Sequence, residues 1–373
     1  MKSILYILSF FLMGAIEASD FGEFRMPKSA NLVLQEDWSS GTIDPEKWYT
    51  LHRKWSDGNN GVVRKNVFIR KENVNGKLKN VLVCRGHGDH YQGDVVGYQG
   101  NRNRVGGVIV SKSFFASGLY EIVFKIGSKQ KSENAPQNPM RPIGMVPAIW
   151  TYAYRWVDAD KAKPFEFSSK QPMYNPLFKH RKYHANEYWS EIDFPEFGKW
   201  QKLGEGLYNT FLQNKHESLI FKTKSAIDGE YHSLKTIWRT ELVPFEGLKD
   251  EQVAEYNGYY WVQDKEVDYN QYLGQPFKKL GTNQYAVYKG KYARHYIDDE
   301  FVGENLKWVP SMAAQLNIGV WFPHWGGKAP WSESSMQISS VKVWEFNDAG
   351  DVRGILVDDI HDTMDAMGAP IKR

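Results

Sequence analysis

One nine-residue stretch, residues 189–197 with the sequence WSEIDFPEF, places three carboxylates among residues that favour β-strands. In a regular strand successive side chains point to opposite faces. Glu191 and Asp193 therefore share one face, while Ile192 and Phe194 enter the other. A strand with acidic side chains on one face and apolar side chains on the other is a candidate for an active site.

The third carboxylate of this stretch, Glu196, breaks the alternation. Read with a strict period of two, its side chain would enter the apolar layer, where an unpaired carboxylate costs several kcal/mol. Pro195 cannot donate a hydrogen bond to a sheet, and proline in strands is typical of bulges and edges. We therefore predict a β-bulge near Phe194 and Pro195, which returns Glu196 to the face of Glu191 and Asp193.

The predicted spacing of the two glutamates suggests a reaction. With the bulge, the α-carbons of Glu191 and Glu196 are about four pleat steps apart, or ~13 Å at ~3.3 Å per residue. If the side chains lean toward each other, the gap narrows to the ~5–5.5 Å between carboxyl groups that retaining glycosidases use. The alternative is a polar stripe on a solvated strand, although acidic residues are depleted in strands.

Composition limits the remaining alternatives. A chain of 373 residues with 42% apolar residues can bury a large core, in one big β domain or two smaller ones. The net charge of +3 gives no reason to expect nucleic acid as a partner. The 14 Trp and 21 Tyr suit stacking on sugar rings, but they can equally pack a core. The single cysteine, Cys84, excludes an intrachain disulfide and is expected to be a buried strand residue.

The first 18 residues have the pattern of a secretory signal. Lys2 provides the positive end, residues 4–16 the apolar stretch, and Ala18 or Ser19 the small residue for cleavage. The apolar stretch is too short for a membrane span, and no second candidate follows. We expect a soluble protein that is secreted or periplasmic.

The mature chain shows an all-β pattern, with short apolar runs between Gly, Asn and Asp and no long helical periodicity. Asn75-Gly76 predicts a tight hairpin between the runs at 67–70 and 81–85. Further strands are expected at residues 106–110 and 118–126, and the latter alternates as a half-buried sandwich strand should.

The sequence EIDFPE, of the form E-x-D-x-x-E, resembles the signature of glycoside hydrolase family 16 in its bulged variety, which laminarinases, agarases, porphyranases and κ-carrageenases carry. The resemblance implies that Glu191 is the nucleophile, Asp193 its helper and Glu196 the acid/base. It also implies an antiparallel β-sandwich of the concanavalin-like jelly-roll type, with an open concave cleft in which internal linkages are cut.

The flanking sequence resembles the family in the same order, from about residue 31 to residue 346. The resemblance implies further strands at residues 146–150, 228–238, 294–302, 316–321 and 336–344. The stretch PAIW, which ends at Trp150, resembles the strand beside the catalytic strand, and YHSLKTIW contains His232 where the family has a histidine. Trp150, Trp189 and His232 are therefore candidate substrate-binding residues. Trp150 could equally be a core residue, and a lone histidine on a strand is more often structural.

Two long insertions bear on the substrate. Residues 155–188 are rich in Lys, Arg and His, including Arg155 and Arg181, which suits an anionic polysaccharide, although a charged loop is usually only solvated. A second insertion at about 241–290 is rich in tyrosine and is expected to wall the cleft. The W-P-x-x-G stretch that usually precedes the acidic motif in laminarinases is missing. A β-galactan of the agar, porphyran or carrageenan kind is therefore favoured over a β-1,3-glucan.

The sequence thus predicts a signal peptide at 1–18, one catalytic β-sandwich at 19–346 and a C-terminal tail at 347–373. The expected partner is a polysaccharide, and the chain is expected to be monomeric, without nucleic acid or a membrane span. The chemistry requires no metal; many members of the family contain a structural Ca²⁺, but its ligands cannot be identified here. A transglycosylase with the same residues and a non-catalytic sugar-binding sandwich remain alternatives, although a binding module has no need of three clustered carboxylates.

Overall fold

The computed structural model describes residues 26–54, 60–127, 142–156, 187–199, 202, 204–212, 215–223, 228–256, 258–262, 264 and 266–353. The predicted signal peptide, Arg181 and most of the 155–188 insertion lie outside these residues. The strands in chain order are β1 Asn31–Glu36, β2 Trp48–Thr50, β3 Val67–Val74, β4 Lys77–His87, β5 Gly107–Phe115, β6 Gly118–Ile126, β7 Val146–Trp156, β8 Glu187–Phe197, β9 Glu205–Leu212, β10 Lys215–Lys222, β11 His232–Phe245, β12 Val253–Tyr256, β13 Tyr259–Val262, β14 Phe277–Gly281, β15 Gln284–Ile297, β16 Glu300–Asn305, β17 Ala314–Trp321 and β18 Glu333–Glu345. One short helix, α1, spans Tyr269–Tyr272.

The strands form two antiparallel sheets. The large sheet has the order β12-β13-β14-β15-β11-β6-β18-β4-β3, with β1 paired to β18 and β16 paired to β15. The small sheet has the order β10-β9-β8-β7-β17-β5-β2. The predicted antiparallel β-sandwich is therefore confirmed. No helix in the described part of the chain has the length and apolar character that crossing a membrane requires.

The core lies between the two sheets. Strand β6 alternates as predicted, so that Tyr120 and Phe124 face inward from the large sheet and are fully buried. The ring of Tyr120 lies 5.1 Å from that of Phe194, and the ring of Phe124 lies 5.8 Å from that of Phe197, measured between centroids. These contacts attach the back of β8 to the large sheet, which fixes the orientation of its other face.

Two turns show how local sequence determines the strand ends. Asn75 and Gly76 both have positive φ, at 50° and 81°, and join β3 to β4 as the predicted hairpin. Residues 294–302, predicted as one strand, instead contain the end of β15, a turn and the start of β16. Asp298 and Asp299 form this turn with φ of 53° and 68°, a conformation that aspartate tolerates better than most residues.

The insertion at 241–290 does not wall the cleft in its described part, contrary to the expectation. It lengthens β11, adds β12, β13 and β14 to the large sheet and includes α1. Trp261 and Leu273 pack with Ala153, Leu212 and Ala314 of the small sheet. These three residues alternate with those on the cleft face, so the insertion closes one end of the inter-sheet core.

The chain after β18 is tied to the sandwich as far as residue 353. Asp348 accepts a two-pronged pair of hydrogen bonds from Arg239, at 2.7 and 2.8 Å. Asp351, 9% exposed, accepts hydrogen bonds from the hydroxyl groups of Ser117 at 2.9 Å and Thr240 at 2.7 Å. The first seven residues of the predicted tail are therefore packed against the large sheet, while the rest lies outside the described residues.

Candidate active site

Strand β8 contains the predicted β-bulge. Against β7, Asp193 pairs with Trp150, whereas Glu196 pairs with Ala148. Two steps along β7 thus correspond to three along β8. The register with β9 also shifts by one residue, between Ile192 and Glu196. The extra residue lies after Asp193 and before Glu196, where proline and the broken alternation predicted it.

The bulge puts the carboxyl and apolar side chains of β8 on opposite faces. Ile192, Phe194 and Phe197 have no exposed surface and belong to the inter-sheet core. Glu191 and Glu196 are partly exposed on the other side of the small sheet, and Asp193, which faces the same way, is 2% exposed. The three carboxyl groups therefore share the solvent-facing side of the sheet, as expected.

Strand β7 supplies the neighbours on one side of these carboxyl groups. Tyr152 lies opposite Glu191, and Trp150 lies opposite Asp193. Trp150 is only 6% exposed and packs in an apolar cluster that also contains Ala148 of β7. The structure thus places Trp150 next to the carboxyl groups, but its side chain is mostly buried by packing and exposes little surface to the cleft. Tyr152 is partly exposed in the same cluster and offers more of its ring to the cleft.

Strand β9 supplies a polar residue that the sequence analysis missed. Asn209, 3% exposed, donates through Nδ2 to Asp193 Oδ2 at 2.5 Å and to Glu196 Oε2 at 3.4 Å. The available signal was alternation: Asn209 is the polar member of an otherwise apolar set with Leu207 and Phe211 on the same face of β9.

Burial and mutual repulsion favour the protonated form of two of the carboxyl groups. Burial raises the pKa of Asp193 well above its usual range, and the neighbouring charge of Glu191 adds to the rise, against the hydrogen bond from Asn209 and the charge of Lys199. Burial also raises the pKa of Glu196, with a further contribution from Asp193 and an opposing one from Lys199. Carboxyl groups this close titrate as a coupled set.

A cation and two tryptophans lie at the end of β8 that follows Glu196. The Lys199 ammonium group lies 6.0 Å from the ring centroid of Trp325. The indole of Trp325 meets that of Trp321 edge to face at 5.7 Å. Trp321 packs in the same cluster as Trp150, so this aromatic corner belongs to the cleft side of the small sheet. The sequence analysis did not identify these three residues as site residues.

His232 is not brought to the carboxyl groups. It begins β11 in the large sheet, where its ring packs near Phe124 of the inter-sheet core. Its Nδ1 lies 2.7 Å from Asp298 and its Nε2 3.0 Å from Asp228. Burial alone would lower the pKa of His232, but hydrogen bonds to Asp298 and Asp228 outweigh it and raise the pKa. This geometry favours a structural ion pair over a contact with substrate.

The remaining predicted site residues are only partly described. Arg155 lies near the end of β7, and Trp189 lies near the start of β8. The side chains of both residues lie outside the described part of the structure. Arg181 lies outside it altogether. Among the described residues, no group of three or more His, Cys, Asp or Glu side chains is arranged to hold a metal ion, so no ligand is assigned to a structural Ca²⁺.

No family model matches the chain, and no curated protein matches it. Several solved structures are similar. LamAcat from Zobellia galactanivorans is 16% identical over 84% of this chain and 97% of its own, with a TM-score of 0.46. The laminarinase catalytic domain from Thermotoga maritima is 13% identical over 85% and 98%, with a TM-score of 0.48. Porphyranase B from Zobellia galactanivorans is 12% identical over 85% and 92%, with a TM-score of 0.48. The two sheets and their register define the fold independently of these similarities.

Proposed function

We propose that the protein is a glycoside hydrolase of the family 16 type, which cuts internal β-linkages of a polysaccharide with retention of configuration. The observation that carries the proposal is the bulged strand β8, which presents Glu191, Asp193 and Glu196 on one cleft face. The raised pKa of Glu196 supplies a proton donor, and Glu191 beside it supplies a nucleophile.

In the first step Glu196 donates its proton to the oxygen of the scissile glycosidic bond, and Glu191 attacks the anomeric carbon. The bond from the anomeric carbon to the leaving oxygen breaks as the bond to the Glu191 carboxylate forms. Asp193, buried and protonated beside Glu191, donates a hydrogen bond that holds the attacking carboxylate in place. The leaving saccharide departs with the proton from Glu196.

In the second step Glu196, now ionised, accepts a proton from water, and the water oxygen attacks the anomeric carbon. The bond to Glu191 breaks, and both glutamates return to their starting states. The charge of Lys199 opposes the rise in pKa of Glu196, and thereby helps this residue to change between acid and base.

For the substrate we propose a β-galactan of the agar, porphyran or carrageenan kind, which an exported enzyme would meet outside the cell. The support is the basic insertion with Arg155 and Arg181, together with Lys199 beside the tryptophan corner of the cleft. If sulfate recognition is correct, Arg155→Ala or Arg181→Ala lowers the hydrolysis rate of a sulfated galactan on the order of a hundredfold, because an anion loses its partner.

A neutral β-1,3-glucan is an equally plausible substrate. The aromatic side chains on the cleft face, Trp150, Tyr152, Trp321 and Trp325, suit any pyranose chain and do not require charge on the substrate. Purified laminarin, agar, porphyran and carrageenan, offered separately, distinguish the two candidates. Rapid cleavage of laminarin with none of the three galactans would reject the galactan.

Hydrolysis itself is tested with Glu191→Gln and Glu196→Gln, measured on whichever polysaccharide is cleaved. Each variant should lose at least ~100-fold in rate, since each removes a group that acts in the transition state. Glu121→Gln is the matched control, because Glu121 lies on the outer face of the large sheet with Lys235 and Lys342. Undiminished turnover in Glu191→Gln would reject the mechanism, and binding without turnover by the wild type would indicate a sugar-binding sandwich.

Stereochemistry and acceptor choice complete the test. Proton NMR of the first product should show the retained anomer, and early appearance of the inverted anomer would reject Glu191 as nucleophile. Reaction in the presence of an added acceptor sugar separates a hydrolase from a transglycosylase, because only the latter transfers most of the intermediate to the sugar.

A further inference from the structure

One amide group joins two of the three carboxyl groups. Asn209 directs Nδ2 at Asp193 Oδ2, at 2.5 Å, and at Glu196 Oε2, at 3.4 Å. An amide nitrogen carries two hydrogens and accepts none, so it provides one N–H for each carboxyl group. Each contacted oxygen is therefore a hydrogen-bond acceptor, which leaves the other oxygen of each carboxyl group to carry a proton.

We propose that Asn209 is a positioning residue that determines which oxygen of Asp193 and of Glu196 bears the proton. By occupying Oδ2 of Asp193, it leaves the proton on Oδ1 for the hydrogen bond with Glu191. By occupying Oε2 of Glu196, it leaves the proton on Oε1 for the leaving oxygen of the substrate. The second half of this inference rests on the proposed glycosidase function, whereas the placement of the protons does not.

The environment of Asn209 supports a role for its donor end. The side chain is 3% exposed, and its Oδ1 is buried without a hydrogen-bond partner among the described residues. Its backbone lies between β8 and β10, where Ser218 is its cross-strand neighbour, so the sheet holds the amide in place. Within the described part of the chain, the amide oxygen therefore makes no hydrogen bond, and the amide nitrogen contacts two carboxyl groups. The role of Asn209 is thus its interaction with these carboxyl groups, and not the stabilisation of a local turn or helix cap.

In the hydrogen bonds described, the other charged and titratable groups around Asp193 and Glu196 do not donate to both carboxyl groups, as Asn209 does. Glu191 on the same strand raises the pKa of Asp193, and Lys199 lowers the pKa of both Asp193 and Glu196. Tyr152 faces Glu191 from β7, and His216 of β10 stacks on Phe211, the β9 neighbour of Glu191. Only Asn209 contacts both proton-bearing groups among the hydrogen bonds described, so its removal is expected to change both.

The sign of the effect follows from the donor. A hydrogen bond to a carboxylate favours the ionised form, and the bond from Asn209 accordingly lowers the pKa of Asp193. Asn209→Leu, of similar size and without a donor, should raise the titration midpoint of Asp193 by about one pH unit, and that of Glu196, whose contact with Asn209 is longer at 3.4 Å, by a smaller amount. The rate kcat/KM should fall by about 10- to 100-fold, and the alkaline limb of its pH profile should move upward with Glu196.

The experiment follows the side-chain carboxyl carbons of the labelled full chain by ¹³C NMR across pH, which requires no substrate. Asn209→Asp is a second variant of nearly the same shape, and its extra carboxyl group should raise both midpoints more than leucine does. Thr236→Val is the control, since it removes a buried hydrogen bond, to His295, in the large sheet. It should lower stability without moving either midpoint or the shape of the pH profile.

The outcomes separate this inference from the proposed function. Raised midpoints with no hydrolysis of any polysaccharide would reject the glycosidase and retain the placement of the protons. Unchanged midpoints in a folded Asn209→Leu or Asn209→Asp variant would overturn the inference, even if the wild type is an active hydrolase. A loss of rate with an unmoved pH profile would likewise reduce Asn209 to a packing residue and overturn it.

Discussion

Phe194 and Phe197 lie three residues apart in one strand, yet both side chains are fully buried in the same inter-sheet layer. An odd separation on one face is incompatible with regular alternation and requires one extra residue between them. The register with both neighbouring strands shows where it is. The same extra residue turns Glu196 to the face of Glu191, so the core and the candidate site depend on one bulge.

Deletion of Pro195 tests this dependence. The shortened strand regains strict alternation, with the carboxyl groups on one face and Ile192, Phe194 and Phe197 on the other, so the fold should survive. The carboxyl group of Glu196 moves by about one residue along the strand relative to Glu191, and a misplacement of even ~1 Å can cost a hundredfold in rate. Circular dichroism and hydrolysis assays should show a folded protein with at most about a hundredth of the activity.

Deletion of Ile192 is the matched control for this change. It shifts Asp193 to the apolar face, where an uncompensated carboxylate costs several kcal/mol, and the protein should not fold. Equal stability of the two deletion variants would show that alternation does not govern β8.

Because the pKa of Glu196 is raised in the folded protein, ionisation of this residue should lower the free energy of unfolding above pH 4. A carboxyl group whose pKa is higher in the folded state binds its proton more tightly there, so stability falls as pH rises from the unfolded pKa toward the folded one. The Glu196→Gln variant has no ionisable carboxyl group at this position, so it does not lose this stability as the pH rises. At pH 8 its free energy of unfolding should exceed that of the wild type by on the order of 1–2 kcal/mol, since one pKa unit corresponds to ~1.4 kcal/mol.

Urea unfolding at pH 4 and pH 8 measures this difference, which should be much smaller at pH 4. Glu121→Gln on the outer face of the large sheet is the control and should show no gain at pH 8. A Glu196→Gln variant that is less stable than the wild type at pH 8 would contradict the prediction.

Trp150 and Tyr152 should separate packing from substrate binding. Trp150 is 6% exposed in the cleft-side cluster, so Trp150→Ala should cost ~3–5 kcal/mol of stability, as large core truncations do. Tyr152 is only partly buried opposite Glu191, and Tyr152→Ala should mainly raise KM, by about tenfold, or ~1.4 kcal/mol of binding. Thermal unfolding and steady-state kinetics of both variants decide the assignment. A stable Trp150→Ala variant with a raised KM would instead make Trp150 the stacking platform.

Residues 347–353 should behave as part of the domain. A chain that ends at Phe346 loses the pairing of Asp348 with Arg239 and leaves Ser117 and Thr240 without their acceptor, Asp351. Loss of the acceptor for a buried hydroxyl donor costs ~1–3 kcal/mol. The midpoint of thermal unfolding of the shorter chain should therefore fall clearly below that of a chain ending at residue 353. Equal midpoints for the two chains would show that the segment contributes nothing to stability.

The sequence predicted those features that local pattern controls. The bulge followed from Pro195 and the broken alternation around it, and the hairpin at Asn75-Gly76 followed from turn chemistry. The turn at Asp298 and Asp299 was missed, because aspartate signals positive φ less clearly than glycine does. Each of these features depends on neighbours in the chain, which a single sequence contains.

The local sequence pattern could not predict which sheet a strand joins or which side chains of the two sheets contact each other. His232 matched a strand motif, but only the pairing of β11 with β6 shows that it lies in the large sheet, away from the carboxyl groups. The insertion at 241–290 was expected at the cleft, but in its described part Trp261 and Leu273 pack in the core, a contact between distant parts of the chain that local pattern does not reveal.

The sequence by itself determined the all-β fold class, the hairpin turns and the face of β8 on which three carboxyl groups meet, because alternation and backbone conformation act over a few residues. Only the tertiary structure decided what surrounds those groups. Asn209 and Lys199 follow Asp193 by 16 and 6 residues and reach it through strand pairing and the turn after β8. Burial of Asp193 and Glu196 among side chains of neighbouring strands, which raises the pKa of both, likewise depends on long-range packing that no local pattern encodes.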